Sequence, residues 1–288
     1  MYYKLGYNPA FAGSQEAPCL TAIFRQQWVG LEGAPAVQAL TFNMPLSNQR
    51  VGIGANIYRH TIGITSITNL DAAYAYRVRL GYGMLGIGVQ GSVRAFKQDF
   101  NETLAIQNKN LDDKIPGNNE SKTLLNFGTG LYYNSDRFYI GLSAPRLLEN
   151  DIDFGGNDAT ISREVQHFYL MSGYLFELTD NLKLQPQLLM KYVKNVPVDA
   201  DLNVNLIIRD LYTVGLSYRY GGDKKDGYGD SVDLLVAAQV ADRLMFGLSF
   251  DFTLSEIKNY TTGSIEASLH YCIGGGSSAN DFVNPRFF

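Results

Sequence analysis

Apolar and polar residues alternate along this chain with a period of two, in runs that restart repeatedly between Leu20 and Cys272. In the segment 244–253, large apolar side chains occupy one phase, and small or polar side chains mostly occupy the other. The first phase carries Leu244, Phe246, Leu248, Phe250 and Phe252, and the second carries Met245, Gly247, Ser249 and Asp251. This is the period of a β-strand whose two faces lie in different surroundings, and no run has helical period. The pattern predicts one large antiparallel sheet with an apolar and a polar face.

Counting every such run gives about fourteen strands, many of them long enough to cross a bilayer. Their approximate ranges are 20–28, 36–44, 50–59, 65–76, 85–96, 122–133, 137–144, 165–176, 182–193, 199–208, 211–220, 230–239, 243–253 and 261–272. An even count allows a closed antiparallel barrel with both chain ends on one side. We therefore predict an all-β fold, a transmembrane antiparallel β-barrel of about 14 strands with periplasmic N- and C-termini.

The connections between these strands alternate in length. If the first strand starts on the periplasmic side, the links on that side are mostly tight turns: 45–49, 77–84, 134–136, 177–181, 209–210 and 240–242. The links on the other side include the long polar segments 97–121, 145–164 and 221–229. Short turns on one rim and long loops on the other are typical of outer-membrane barrels.

The strand ranges divide the chain into three parts. We predict a periplasmic N-terminal segment at 1–19, the barrel at 20–272 and a periplasmic C-terminal tail at 273–288. Both end segments are expected at the periplasmic rim, packed in the lumen or offered to a periplasmic partner. Met1–Ala10 lacks the apolar core of a signal peptide, so we expect the sequence of a secreted protein that is mature, trimmed or started at an internal methionine.

Composition narrows the class further. The 288 residues carry a formal net charge of -4, and no run of about eighteen apolar residues is present, which excludes a helical membrane protein. The chain is rich in Tyr and Phe, with 19 and 16 residues. These cluster near strand ends, where we expect an interfacial girdle, at Tyr74, Tyr76, Tyr132, Tyr133, Phe138, Tyr139, Tyr218 and Tyr220. A soluble all-β protein is the alternative, disfavoured because soluble strands average about five to six residues.

Three short motifs resemble the PorP/SprF family of the type IX secretion system. The first is YNPAFAGS at Tyr7–Ser14, the second is RQQW at Arg25–Trp28 followed by Gly33–Pro35, and the third is the terminal NPRFF. The positions that match the family motifs are Asn8, Pro9, Ala10, Ala12, Gly13, Arg25, Gln27, Trp28, Pro285, Arg286 and Phe288. The Gln- and Phe-rich stretch that precedes the first box in the family is missing here.

The resemblance implies a non-enzymatic outer-membrane barrel of a Gram-negative bacterium that serves secretion, gliding motility or surface display. Family members are associated with a periplasmic peptidoglycan-binding lipoprotein or with a large surface adhesin that they help to export and anchor. The partners implied are therefore such an adhesin or its C-terminal domain, that lipoprotein, and outer-membrane lipid with lipopolysaccharide. No nucleic acid and no cofactor are expected.

The lumen-facing phase carries charges of both signs. It includes Arg25, Gln27, Arg50, Asn56, Gln90, Arg94, Lys191, Asp201, Asn203, Asn205, Arg219, Asp233, Asp251 and Glu266. A barrel of this size can hold water, but interspersed charges can also pair across it and leave little passage. We favour solvated or paired wall residues over a selective pore, and a general diffusion or fatty-acid porin is the alternative function.

The chain has 2 cysteines, at the start of the first strand and the end of the last. In a closed barrel these strands are neighbours whose periplasmic ends meet, so Cys19 and Cys272 lie close together in the lumen phase. The oxidising compartment allows a disulfide there, and two unpaired cysteines are the alternative.

Catalytic and metal-binding motifs find no support in the sequence. The 3 histidines, His60, His167 and His270, lack the i, i+4 spacing of a helical metal pair, and no nucleophile elbow is present. The long loops are oxygen-rich without EF-hand spacing, and we predict them as extracellular partner-contact surfaces. The candidate contact residues are Asn108, Asp112, Asp113, Asn118, Asn150, Asp151 and Asn157.

Overall fold

The computed structural model describes residues 3–46, 49–100, 119–152, 163–221 and 229–273. Within these ranges nearly every regular element is a strand. The strands are β1 (Cys19–Gln26), β2 (Ala36–Leu46), β3 (Val51–Ile62), β4 (Thr65–Leu80), β5 (Gly83–Gln98), β6 (Glu120–Asn134), β7 (Phe138–Ala144), β8 (His167–Tyr174), β9 (Phe176–Thr179), β10 (Leu182–Val193), β11 (Asp199–Ile208), β12 (Tyr212–Tyr220), β13 (Ser231–Ala241), β14 (Leu244–Thr253) and β15 (Ser264–Cys272).

All of these strands form one closed antiparallel sheet. Consecutive strands pair along the chain except β8 with β9, and β1 closes the barrel by pairing with β15 from Cys19↔Cys272 to Gln26↔Ile265. β8 and β9 both pair with β10 and are two segments of one barrel strand, interrupted at Leu175. The molecule is therefore a 14-stranded barrel, as the alternation predicts.

The two faces of the wall are inverted relative to a soluble protein. Large apolar residues such as Leu70, Val93 and Leu216 point outward and are about half exposed, whereas polar residues such as Asn56 and Asn205 are buried in the lumen. An apolar outer band and a polar interior suit a barrel surrounded by lipid. Ladder hydrogen bonds join the barrel strands to their neighbours, so the backbone groups that they pair are satisfied within the wall.

Several strands are longer than the sequence pattern predicts. β4 and β5 continue to a two-residue turn at Gly81 and Tyr82, so the predicted link 77–84 is too long. The predicted strand 165–176 and link 177–181 are also wrong, because β9 continues the strand to Thr179. Polar or charged residues at these ends still pair along the ladder, and hydropathy alone does not detect them.

Part of the predicted aromatic girdle is wrong. Tyr74, Tyr76 and Tyr220 face outward, but Tyr132 and Tyr139 are 1% and 3% exposed and face the lumen. The two rings stack at 5.8 Å between centroids. Both lie on the inward phase of their strands, where they serve as packing surface rather than as interfacial anchors.

The links define two rims. One rim, here called the short-turn rim, carries only short connections between described strands, such as Gly81–Tyr82 and Asp180–Asn181. The opposite, long-loop rim carries the connections 27–35, 99–119, 145–166, 194–198, 221–230 and 254–263, and one tight turn at Gly63. The length asymmetry agrees with the predicted rims.

Short helical turns complete the described structure: α1 (Lys4–Tyr7) and 3₁₀ turns at Pro9–Phe11 and Glu256–Asn259. Among the described residues, no helix has the length and apolar character needed to span a membrane.

Candidate functional site: the lumen and its N-terminal segment

Residues 3–18 before β1 fold back into the barrel and lie against the inner wall. This N-terminal segment contains α1 and the following 3₁₀ turn, and its residues Leu5, Ala10 and Ala12 are at most 4% exposed. They pack with Tyr132 and Met171 from the wall into the main buried apolar cluster. The segment enters from the short-turn rim and fills the lumen beside β3–β7.

Small residues on the inward phase of β3–β7 make room for this segment. Six glycines and two alanines form a surface that we call the glycine groove: Gly52, Gly54, Ala73, Ala75, Gly86, Gly88, Gly130 and Gly141. A Cβ atom at Gly52 would overlap the backbone of Ala12, and one at Gly88 would overlap the backbone of Ala10. At these glycines the backbone of the segment therefore lies directly against the backbone of the wall. Only glycine permits this contact, because it has no side chain.

Asn8 fixes the middle of the segment to the wall. Its side-chain oxygen accepts a hydrogen bond from Ala10 N at 2.9 Å and caps the 3₁₀ turn. Its side-chain amide donates to the carbonyl oxygens of Leu131 at 2.9 Å and Leu142 at 3.4 Å. Asn8 is fully buried, and its side chain occupies the space left by Gly130.

The end of the same motif is held at the short-turn rim. Gly13 has a φ of +70°, a conformation that favours glycine, and its N–H donates to Asn43 Oδ1 at 2.5 Å. Arg77 donates to the Gly13 carbonyl and, at 3.1 Å, to Asn134 Oδ1. The first family motif is thus the docking sequence of the N-terminal segment.

Lys4 is the one basic residue of the described N-terminal segment, and it points into an aromatic environment. Its Nζ lies 4.0 Å from the centroid of the Tyr139 ring and 5.8 Å from that of Phe11. Burial lowers the pKa of Lys4 to about 7, because a desolvated ammonium is disfavoured. The protonation state of this amine is therefore linked to docking of the segment.

The opposite half of the lumen carries a continuous chain of ion pairs near the long-loop rim. Arg219 contacts Asp201, Asp233 and Asp251 at 3.0–3.4 Å. Arg25 bridges Asp251 at 2.7 Å and Glu266 at 3.5 Å, and Lys191 contacts Asp199 and Asp201 at 3.1 Å each. In the described part of the lumen wall these charges pair with one another, which is one of the two arrangements expected from the sequence.

A second polar cluster lies where the loop after β7 folds over β6. Glu164 is buried and bonds Arg94 at 2.7 Å and Arg146 at 3.4 Å. Both guanidinium groups also donate to the Tyr58 hydroxyl, at 2.9 and 3.0 Å. The loop residues Arg146 and Glu164 were missed in the sequence, because nothing local marks a loop residue as inward-facing.

A cavity of about 380 Å³ remains between the N-terminal segment and the ion-paired wall. Its lining includes Tyr3, Lys4 and Tyr7 from the segment and Arg25 and Arg219 from the wall. The described lumen is thus divided into a segment-filled half, a charged half and this remaining space.

The first and last strands are joined covalently at the short-turn rim. Cys19 and Cys272 form a disulfide and are 2% and 0% exposed. His270 lies beside it, with Nε2 3.4 Å from Cys272 Sγ and Nδ1 2.7 Å from Thr21 Oγ1. In the thiol form the three side chains would have the donor set of a soft metal site, but here the sulfurs are engaged with each other.

The remaining predicted residues occupy different places. Gln27 and Trp28 follow β1 at the long-loop rim, where their N–H groups bond Pro35 O and Ser264 Oγ. Asn150 donates to Leu125 O and Glu164 Oε2, and Asp151 pairs with Arg163, so both brace the loop. The other candidates lie outside the described residues: Asn108, Asp112, Asp113, Asn118, Asn157, Pro285, Arg286 and Phe288.

Sequence comparison supplies the family. The model of the type IX secretion system membrane protein PorP/SprF matches residues 1–271, nearly the whole chain. The class defined by fold and lumen is an outer-membrane β-barrel, and the chain belongs to the PorP/SprF family of that class. Family and architecture indicate the outer membrane of a Gram-negative bacterium. No curated protein matches the chain.

Solved structures share the barrel at low sequence identity. The toluene transporter TbuX of Ralstonia pickettii has a TM-score of 0.54 at 10% identity, covering 93% of this chain and 92% of its own. The monoaromatic hydrocarbon channel CymD has a TM-score of 0.55 at 10% identity, with 94% and 92% coverage. The P. putida toluene transporter TodX has a TM-score of 0.52 at 9% identity, with 93% of both chains covered. At these identities the similarity is one of fold.

Proposed function

We propose that this barrel is a non-enzymatic scaffold of the type IX secretion and gliding machinery. In this proposal its long-loop rim faces outside and binds, helps to export or anchors a large surface adhesin. Its short-turn rim faces the periplasm, where it contacts a partner such as a peptidoglycan-binding lipoprotein. Family membership supports the secretion role, and the length asymmetry of the rims supports the orientation.

The observation that carries the proposal is the occupied lumen. The chain's own N-terminal segment fills one half through the glycine groove, and the charges of the other half are paired with one another. The wall charges pair with one another, and the N-terminal segment of the same chain fills part of the lumen. Both features suit attachment of a partner better than passage of solutes. The hydrogen bond between Asn150 and Glu164 braces the described residues of the loop after β7, which suits a contact surface.

The test is purification of the barrel from its native outer membrane in mild detergent, with mass spectrometry of the proteins that co-purify. A large surface protein or a periplasmic lipoprotein in stoichiometric yield is expected. Variants Asn150→Ala and Asp151→Ala, on the long-loop rim, should affect only the surface partner. A barrel that purifies without any partner under conditions that preserve other type IX complexes contradicts the proposal.

A porin is the second candidate, favoured by one observation, the cavity of about 380 Å³ beside the N-terminal segment. Hydrocarbon transporters of similar fold give the same hypothesis, although their identity to this chain is too low to transfer function. Conductance distinguishes the candidates, because a porin conducts ions as an isolated barrel and a scaffold with an occupied lumen conducts little.

A further inference from the structure

A shallow apolar groove lies on the outer wall of the barrel, across the seam where β1 meets β15. Its volume is about 430 Å³, and its lining includes the small residues Ala22 and Ala267. Phe24, Leu40 and Leu269 border it and are 42–49% exposed. These residues share the lipid-facing phase, so the groove opens toward the hydrocarbon rather than the lumen.

One end of the groove carries a cation. Arg59 and its ladder partner Gln38 both line the groove on the side of the long-loop rim. Arg59 shares its phase with Ile57, which is 48% exposed, while Gly54 and Asn56 of the same strand face the lumen. The guanidinium is therefore on the outer wall, directly beyond an apolar row.

Arg59 belongs to a wider polar patch on this part of the outer wall. Thr68 is its partner on β4, and the next row toward the rim pairs Thr61 with Ser66 and Ser66 with Lys97. Strands lie about 4.8 Å apart, so Arg59 on β3 and Lys97 on β5 are on the order of 10 Å from each other. Both are exposed cations with hydrogen-bonding side chains between them.

The outer wall around Arg59 and Lys97 is positively charged because these strands carry no acidic residue on their outward face. The strands β1–β5 contain a single acidic residue, Asp71, and it is buried in the lumen, where it accepts from Asn56. At the other ends of the same strands the outward residues are apolar, as at Leu20, Val51 and Tyr76. The positive, hydroxyl-rich patch is therefore confined to one membrane interface.

We propose that the groove and the cations Arg59 and Lys97 together bind one phosphorylated, multiply acylated lipid of the outer leaflet, with the chemistry of lipid A. One acyl chain lies in the groove over Ala22, and phosphate groups contact the two cations. Arginine recognises phosphate by paired N–H donors, and the groove offers van der Waals packing to a chain that is already in hydrocarbon. The choice of leaflet rests on the orientation given above, and binding requires no secretion partner.

The test is native mass spectrometry of the detergent-solubilised full chain, titrated with bisphosphorylated lipid A, dephosphorylated lipid A or phosphatidylglycerol. The wild type should bind bisphosphorylated lipid A most tightly. Arg59→Gln should weaken that binding about tenfold, equivalent to about 1.4 kcal/mol. It should leave dephosphorylated lipid A unaffected. Ala22→Leu, which fills the groove, should weaken both forms of lipid A.

Matched controls separate this site from general surface effects. Arg79→Gln removes an exposed arginine near the other rim, and Ala55→Leu enlarges a lipid-facing residue outside the groove. Neither should change binding, and heat-modifiable gel mobility should confirm that every variant is folded. The proposal is overturned if wild type and Arg59→Gln bind bisphosphorylated lipid A with equal affinity. It is also overturned if phosphatidylglycerol binds as tightly as lipid A and loses affinity to the same extent in Arg59→Gln. Failure here leaves the pull-down result of the secretion proposal untouched.

Discussion

At the residue scale, Lys4 links docking of the N-terminal segment to pH. A released segment has a lysine of ordinary pKa, 10.5, whereas burial lowers the pKa of docked Lys4 to about 7. Above pH 10.5 the amine is neutral in both states, and below pH 7 it is protonated in both. Between these values only the released segment gains a proton, so docking weakens as pH falls and is weakest below pH 7.

The prediction is that proteinase K cleaves the N-terminal segment faster at pH 7 than at pH 9, after correction for protease activity on an unfolded substrate. Lys4→Met should remove this pH dependence and slow cleavage at pH 7, because a buried thioether has no charge to desolvate. The same pH dependence in the variant and in the wild type would show that Lys4 is not the linked group.

Asn8 is the second residue-scale prediction. Asn8→Ala leaves the carbonyls of Leu131 and Leu142 without this donor, and it removes the cap of the 3₁₀ turn. We expect docking of the segment to weaken by about 1–3 kcal/mol. Hydrogen exchange of residues 4–14 measures this. Asn8→Asp, which keeps the shape but cannot donate, should weaken docking as well, whereas Gln15→Ala at the edge of the segment should have a smaller effect.

The sequence offered the lumen as one of two places for the N-terminal segment, but it did not identify the first family motif as the residues that dock the segment. Alternation assigns a side chain to the inner or outer face, and it predicted the inward position of Arg25, Asp201 and Asp251. It says nothing about what fills the lumen. The glycines of the groove were visible on the inward phase, for example Gly86 and Gly88, and an inward row of residues without side chains was the available signal for a bound segment.

At the scale of elements, the glycine groove determines whether the segment fits. Gly88→Ala places a Cβ against the backbone of Ala10, and neither backbone can move freely because both are held by hydrogen bonds. We expect faster hydrogen exchange in residues 4–14 and an unchanged barrel. Gly91→Ala on the outward phase of the same strand is the control, because nothing lies within 4 Å of its Cβ position. Equal exchange in both variants would contradict a tight fit.

The seam between β1 and β15 gives a further prediction for elements. The disulfide links residues 253 apart in sequence, and such a crosslink restricts the unfolded chain. Cys19→Ser should lower stability by about 2–4 kcal/mol, measured by urea unfolding of the barrel in detergent. The double variant with Cys272→Ser should match the single variant. Wild type treated with reductant should unfold at the same urea concentration as these variants. If reductant leaves the stability of the wild type unchanged, the cysteines are unpaired.

Strand existence was predictable and strand length was not. The outward faces of β4 and β5 are apolar over most of their length, so the strands were found, but Arg77 and Arg79 looked like turn residues. In the structure Arg77 is an inward residue that holds Gly13. A charged residue can therefore lie within a strand when the lumen supplies hydrogen-bond acceptors for it. The sequence does not show those acceptors, so the strand ends could not be predicted.

At the scale of the whole molecule, the segment and the ion-paired wall together decide whether the barrel conducts. The described ion-pair chain contains five carboxylates, Asp199, Asp201, Asp233, Asp251 and Glu266, and three cations, Lys191, Arg219 and Arg25. Its excess negative charge would favour cations in any open passage. The segment fills the opposite half of the lumen and leaves a cavity of about 380 Å³ between itself and this wall.

Deleting residues 2–14 should therefore raise single-channel conductance in planar bilayers and give a cation-selective current, while the wild type conducts little. Gln15–Pro18 are kept so that the disulfide and the start of β1 remain intact. Adding Arg219→Gln to the deletion should increase cation selectivity, because three aspartates then lose their shared partner. Gel mobility checks that each variant forms a barrel. A wild type that conducts as well as the deletion would favour the porin over the scaffold, since the segment would then leave the passage open.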